Sequence, residues 1–178
     1  MPWIHMHAWP TGQAFPCCMA SPNENFGNTN EKSIREIVNS EEFKKLRKNM
    51  LANRPSKACT RCYELEKSSD AHTLRKHSLK TFSHLLEEVV SNTSADGSLD
   101  QFKMAYMDLR LSNVCNFKCR TCSKDFSSSW QEEDAKGAKT VPFSLLQNEK
   151  FWPELEAMLP DVEEVCFAGG EALVSPEH

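Results

Sequence analysis

The stretch Met104–Cys122, MAYMDLRLSNVCNFKCRTC, decides the fold of this chain. Apolar side chains occupy both faces of its first half, as expected for a strand that is covered on both sides. A loop follows directly, with cysteines at 115, 119 and 122 in a C-x3-C-x2-C spacing. Three thiols on one short loop can converge on a single metal centre and leave one coordination position open. The stretch therefore predicts a reactive metal site at the end of a buried strand.

A second short strand is predicted at Val162–Phe167, and helical patterns at Asp125–Glu133 and Glu149–Leu159 precede it. A strand, a helical crossover and a second strand form a βαβ unit, whose strands normally pair in parallel. The loop Ala168–Glu171 follows the second strand and contains the tripeptide Gly-Gly-Glu. Both loops would then lie at the carboxyl ends of parallel strands, where barrels of this kind place their sites.

The 178 residues carry a net charge of −4 and are 26% charged, a composition typical of soluble globular proteins. This acidic balance gives no general attraction to nucleic acid or to anionic membranes. No window is apolar enough to span a membrane, and the N-terminus lacks the pattern of a signal peptide. We expect a cytoplasmic protein without nucleic-acid or membrane partners.

The cysteines are clustered, and in a reducing compartment such clusters favour metal binding over disulfides. Seven of the eight fall into three groups, which are Cys17-Cys18, Cys59/Cys62 and the trio at 115, 119 and 122. Cys166 stands alone in the second predicted strand, where we expect a small buried hydrophobe.

The first part of the chain predicts a small α+β unit. Two short strands are expected at 3–9 and 13–19, around a Pro-Thr-Gly turn, and helical spacing runs over 33–51 and 64–90. A knuckle-like turn is expected between the two helical regions, at Lys57–Cys62. Small polar residues at 91–101 are typical of a linker. We therefore predict a domain at 1–90, a linker at 91–101 and a second domain at 102–178.

C-x3-C-x2-C after the first strand of a βα repeat, with Gly-Gly-Glu after the second, resembles the radical S-adenosylmethionine (radical SAM) superfamily. The resemblance implies that Cys115, Cys119 and Cys122 bind a [4Fe–4S] cluster, which cleaves SAM reductively and generates a 5′-deoxyadenosyl radical for hydrogen abstraction. It also assigns contacts with SAM to Gly169, Gly170, Glu171 and Phe117. Two positions depart from the family pattern: Thr121 stands where an aromatic residue is common, and Ala172 where proline is usual.

The N-terminal cysteines are similar to the framework of SPASM and twitch domains, which bind auxiliary iron–sulfur clusters in radical SAM proteins. The similarity rests on Gly12, Cys17 and the pair Cys59/Cys62. It leaves the fourth ligand open. Cys18 is one candidate, although neighbouring residues on a strand face opposite sides, and His5 or His7 is another. A zinc site built from Cys17, Cys18, Cys59 and Cys62 also stays open.

The predicted fold class is α/β: an α+β accessory domain, followed by the first βα units of an incomplete radical SAM-type parallel β/α barrel. The family barrel has about six such units, and two are found here. We therefore expect the front part of a longer protein, with little SAM cleavage by this chain alone. The resemblance implies a reductant such as flavodoxin or ferredoxin, and peptides or proteins as one substrate class. The alternative function is a non-catalytic zinc- or iron–sulfur-binding module that acts through protein contacts.

Overall fold

A computed structural model describes residues 1–68 and 72–174. The strands are β1 His7–Ala8, β2 Ala14–Phe15, β3 Tyr106–Met107 and β4 Glu164–Val165. The helices are α1 Ile34–Val38, α2 Glu41–Leu51, α3 Thr60–Ser68, α4 Leu74–Thr81, α5 Leu86–Ser91, α6 Ser128–Asp134 and α7 Phe151–Met158. Short 3-10 turns lie at Lys57–Cys59, Ser83–Leu85, Leu145–Gln147 and Leu159–Asp161.

The strands form two small sheets. β1 and β2 pair antiparallel, with His7 opposite Phe15, whereas β3 and β4 pair in parallel, with Tyr106 opposite Glu164. The parallel pair confirms the predicted βαβ connection, although each of its strands is two residues long and shorter than predicted. Helices with small sheets give an α/β-like arrangement, and within the described residues the strands do not close a barrel.

The first two helices begin where serine residues cap them. The Ser33 side chain accepts a hydrogen bond from the Glu36 backbone, and the Glu36 carboxylate accepts one from the Ser33 backbone. This reciprocal capping box satisfies two backbone donors that a helix end leaves without partners. The Ser40 hydroxyl caps α2 by accepting one hydrogen bond, from the backbone amide of Phe43 at 3.4 Å. The helices predicted in this region are therefore confirmed.

One hydrophobic core draws side chains from both sides of the predicted linker. Phe43 and Ile37 from the N-terminal helices pack in the same cluster as Leu109 and Phe151. Leu99, inside the predicted linker, is itself buried in this cluster. The division at 91–101 stays a prediction, but the apolar packing is continuous across it.

Arg47 is buried on α2 and binds three backbone carbonyls. Its guanidinium donates hydrogen bonds to Pro2 at 2.9 Å, to Gly97 at 3.0 Å and to Val38 at 2.6 Å. Burial lowers the pKa of Arg47 to about 10, so the side chain still carries its charge at neutral pH. The carbonyl dipoles replace the water that a buried cation loses.

The N-terminal segment lies alongside β3. The backbone amide of Tyr106 donates to Ile4 at 3.2 Å, and that of Arg110 donates to Ala8 at 3.1 Å. An isolated parallel bridge between Ala8 and Leu109 continues this contact. The segment therefore brings the first cysteines close to the strand that leads into the cysteine loop. Among the described helices, none has both the length and the apolar character needed to cross a membrane.

Candidate metal centres

Serine side chains at the start of α6 hold the first part of the cysteine loop. The Ser128 hydroxyl accepts from the Cys115 amide and donates to the Cys115 carbonyl, both at 3.1 Å. Ser129 donates to the same carbonyl at 2.8 Å, and Ser127 donates to the Phe117 carbonyl at 2.8 Å. The loop backbone is thus fixed by side chains that follow it in sequence.

Asn113 and Trp130 hold the loop from its two ends. The buried Asn113 amide donates to the Lys124 carbonyl at 3.0 Å and accepts from the Phe143 backbone at 2.8 Å. The Trp130 indole donates to the Cys119 carbonyl at 3.0 Å. The sequence predictions did not include these residues or the three serines. A run of three serines followed by tryptophan, SSSW at 127–130, directly after a cysteine loop, is the signal that could have indicated them.

The Gly-Gly-Glu loop lies directly against the cysteine loop. Both glycines have positive φ angles, +93° for Gly169 and +54° for Gly170. A Cβ atom on Gly170 would lie 2.3 Å from the Val114 carbonyl oxygen, and one on Gly169 would lie 2.6 Å from the Arg110 Cβ atom. The Glu171 amide donates to the Val114 carbonyl at 2.8 Å. Only glycine fits this close approach, which sets Glu171 beside the first cysteine.

The thiols of the loop are accessible. Cys119 is exposed, and Cys115 and Cys122 are half-buried. Phe117 is exposed on the same loop, and its backbone amide donates to the Cys115 sulfur at 3.4 Å. Thiolates are ligands that iron–sulfur clusters prefer, so the chemistry of this donor set fits a cluster.

The N-terminal thiols divide into a trio and a single residue. Cys17, Cys59 and Cys62 line one cavity and interact electrostatically with one another. Burial raises the pKa of the Cys17 thiol, and burial together with Cys17 raises the pKa of Cys59 to about 11. A raised pKa favours the protonated form of Cys17 and Cys59, so metal binding there releases protons. Cys18 is exposed and does not line this cavity; its electrostatic neighbours include Asp108 and Arg110.

The ligand sets stay predictions, because the described side chains do not yet form a closed site. Across residues 1–68 and 72–174, no three His, Cys, Asp or Glu side chains are grouped as ready metal ligands. All eight cysteines lie in the described residues and none forms a disulfide. Each of the eight is therefore a free cysteine in this structure.

The two histidines considered as fourth ligands bond to β3 and the residues that follow it. Nδ1 of His5 lies 2.8 Å from the Tyr106 carbonyl oxygen, and Nδ1 of His7 lies 2.8 Å from that of Asp108. Both rings are buried. Burial lowers the pKa of His5 to about 3, so the ring is neutral. In this arrangement the histidines join the N-terminal segment to the strand that leads into the cysteine loop.

Asp108 and Arg110 connect that strand to the cysteine loop. The Asp108 carboxylate lies 3.4 Å from Nδ1 of His7 and 3.8 Å from Nε of Arg110. Burial alone would raise the pKa of Asp108, but the hydrogen bond from His7 and the charge of Arg110 keep it below its usual value. The Arg110 guanidinium lies 5.1 Å from the ring centroid of Phe126, just beyond the loop.

Two expectations about cysteines need correction. Cys166 was predicted to be buried and is exposed, one residue beyond the end of β4. Cys59 and Cys62 were expected on a knuckle-like turn. Cys59 ends a 3-10 turn and Cys62 lies in the first turn of α3, so helical spacing of three residues sets their separation.

Comparison with known protein families places the N-terminal region. Residues 1–63 match the family model of SPASM, described as an iron–sulfur cluster-binding domain. The predicted SPASM-like domain is thereby confirmed, and the match indicates iron–sulfur binding of the kind typical of radical SAM proteins. Neither the comparison with curated proteins nor the comparison with solved structures gave a match.

Proposed function

We propose that this chain has radical SAM chemistry, with a SAM-binding cluster on the 115–122 loop and an auxiliary cluster on the N-terminal unit. The observation that carries the proposal is the contact of the Gly-Gly-Glu loop with the Val114 carbonyl, one residue before Cys115. Two sequence motifs separated by about fifty residues of chain meet at the carboxyl ends of paired parallel strands.

Each part of the site has a role in this proposal. Cys115, Cys119 and Cys122 hold the cluster, and Glu171 accepts the ammonium group of SAM through a charge-assisted hydrogen bond. Phe117 supplies an exposed aromatic surface on the same loop. When bound, the cluster supplies one electron that breaks a carbon–sulfur bond of SAM, leaving methionine and a 5′-deoxyadenosyl radical, which removes a hydrogen atom from the substrate.

The auxiliary cluster is assigned to Cys17, Cys59 and Cys62, because these thiols line one cavity. Cys18 completes the set only if the backbone at 17–18 reorients, since its thiol lies near Asp108. A small one-electron donor such as flavodoxin or ferredoxin supplies the reducing electron. Peptides or proteins are the substrate class proposed from the SPASM resemblance.

Anaerobic reconstitution followed by iron and sulfide analysis tests the proposal. Two cubane clusters give about eight irons per chain and a broad absorbance near the blue end of the visible spectrum. Addition of SAM to the reduced protein should change the electron paramagnetic resonance signal of one cluster, and Glu171→Ala should abolish that change while the iron content stays the same. A chain that takes up zinc alone contradicts the proposal and favours the non-catalytic module.

A further inference from the structure

The thiols of Cys17, Cys59 and Cys62 line a cavity of about 420 Å³. The other walls come from the N-terminal segment, α2, α4 and α5, and most of them are apolar. Ligand pockets for small molecules have volumes of roughly 300–1,000 Å³ and are lined mainly by apolar side chains. The cavity therefore has the size and lining of a binding site, and it reaches well beyond the three thiols. We call it the apolar groove.

The mouth of the apolar groove exposes large aliphatic side chains. Leu51, Leu79, Leu86 and Val90 line it, and their exposed fractions are 47%, 53%, 50% and 41%. These residues come from α2, α4 and α5, so the exposed surface is shared by three helices around one opening. Soluble proteins rarely expose a contiguous apolar patch of this kind unless it binds something. The patch points to an apolar occupant.

The charged side chains that line the apolar groove indicate an occupant with a negative charge. Arg54, Arg75 and the N-terminal residue Met1 line the groove, and among the described residues no aspartate or glutamate does so. Arg75 is ion-paired with Glu66, whereas no described carboxylate pairs with Arg54. A guanidinium binds a carboxylate through two parallel hydrogen bonds. A groove with an apolar wall and one such cation fits a molecule with an apolar tail and a carboxylate head.

We propose that the apolar groove binds a small apolar carboxylate, with the head on Arg54 and the tail between α2, α4 and α5. The proposal rests on the proposed function only through the floor of the groove, which is the thiol trio assigned to the auxiliary cluster. The ligand then lies next to that cluster. The volume of the groove favours a small molecule over an extended polypeptide.

Calorimetric titration of the reconstituted chain with decanoate tests this inference. Saturable binding with one site per chain is expected. Octanoate should bind about tenfold more weakly, because each buried methylene contributes roughly fourfold in affinity. Decanol, which has the same tail and no charge, should also bind about tenfold more weakly, since a charge-assisted pair with Arg54 is lost.

Matched variants separate the groove from the rest of the surface. Leu79→Glu and Arg54→Gln should each weaken decanoate binding at least fivefold. Leu65→Glu replaces an aliphatic residue of similar exposure, 42%, and Arg61→Gln replaces an exposed cation, and neither residue lines the groove. Both controls should leave the affinity unchanged. Iron content is measured for each protein, so that loss of the cluster is seen independently of loss of the ligand.

The outcomes are distinct. If decanoate does not bind to protein that contains iron, or binds as well to Leu79→Glu, the groove is not the site and the inference is wrong. Equal binding of decanol and decanoate overturns the role of Arg54. Tighter binding of a short peptide that ends in leucine overturns the assignment to a small molecule. A chain that takes up no iron on reconstitution but still binds decanoate contradicts the proposed function alone and leaves the groove in place.

Discussion

The two groups of cysteines use the same donor atom in opposite surroundings. Cys17, Cys59 and Cys62 line an apolar cavity, and burial raises the pKa of two of these thiols. The thiols of the 115–122 loop lie at the surface, on a backbone held by polar side chains and covered on one side by the Gly-Gly-Glu loop. An enclosed thiol set stabilises a fold, whereas an open one leaves room for a ligand. The surroundings, more than the donors, separate the two roles.

Removing one thiol from each group should give the largest effects and the clearest contrast. Cys119→Ala and Cys62→Ala should each lose about four irons per chain. Cys62 is buried, so loss of its cluster should lower the melting temperature by several degrees, because metal binding there is part of the folding free energy. Cys119 is exposed, and its loss should change the melting temperature by about one degree or less.

Iron analysis and thermal denaturation of the two variants, prepared anaerobically, measure this contrast. Cys166→Ala is the control, since Cys166 is exposed and belongs to neither group. Equal losses of thermal stability in the Cys62 and Cys119 variants would show that enclosure does not distinguish the two groups.

A methyl group on Gly170 should disrupt the contact between the two loops. Gly170→Ala places a Cβ atom 2.3 Å from the Val114 carbonyl oxygen. We expect the free energy of unfolding to fall by roughly 2–3 kcal/mol. We also expect the SAM-dependent spectral change to be lost. Gly137→Ala is a matched control, because Gly137 also has a positive φ but no heavy atom lies within 4 Å of its Cβ position. The control should cost only about 1 kcal/mol.

Urea denaturation of both glycine variants provides the free energies. The comparison fails if Gly137→Ala costs as much as Gly170→Ala, because positive φ alone would then explain both.

Acid should weaken the contact between the N-terminal segment and β3, because His5 lies in that contact. The pKa of His5 is about 3 in the folded protein, against about 6.5 in an unfolded chain. Between these values the unfolded state binds a proton that the folded state does not. The contribution of His5 to the free energy of unfolding is therefore fully present above pH 6.5. It falls as the pH is lowered, by up to about 1.4 kcal/mol per pH unit.

Free energies of unfolding at pH 7.5, 6.5 and 5.5 for the protein and for His5→Gln test the sign and the size. The difference between the two should shrink with acid, whereas the exposed His77→Gln should follow the unaltered protein. If the free energies of unfolding of His5→Gln and of the unaltered protein change equally with pH, the lowered pKa of His5 is contradicted.

The smallest predicted effect concerns the indole that holds the cysteine loop. Trp130→Phe removes the hydrogen bond to the Cys119 carbonyl, which contributes about 1 kcal/mol. We expect the loop cluster to lose iron to a chelator two- to fivefold faster, with the N-terminal cluster unaffected. Trp152→Phe, a change at an exposed tryptophan on α7, should have no such effect. Faster loss from both clusters would show a general weakening of the fold.

The sequence predicted the elements whose signals are local. The helical spacing over 33–51 gives α1 and α2, and the strand before Cys115 pairs in parallel with the later one. Strand lengths were overpredicted, because apolar alternation marks buried positions whether or not the backbone forms ladder hydrogen bonds. Cys166 shows a related error. Its apolar neighbours predicted a buried position, but such a pattern does not show which element would cover the residue.

The motifs of the candidate site could be predicted from the sequence, but the residues that hold the cysteine loop by hydrogen bonds could not. Cysteine spacing and Gly-Gly-Glu name the ligands and the contact loop, because each is a short pattern with a chemical meaning. The bonds of Asn113, Ser129 and Trp130 to the loop join residues that sequence spacing does not relate. The direction of the Cys18 thiol also depends on what packs beside it. Contacts between distant segments set such details, and a single sequence does not encode them as a pattern.

The buried guanidinium of Arg47 ties together chain segments at positions 2, 38 and 97. During synthesis on the ribosome, Arg47 gains its third carbonyl partner only after residue 97 has been added to the chain. Until then, water has to take the place of the Gly97 carbonyl. The stretch that matches the family model, residues 1–63, ends well before that point. The carbonyls that bind Arg47 therefore extend beyond the residues of the family match, and this set of hydrogen bonds is complete only after synthesis has passed the last N-terminal cysteine, Cys62.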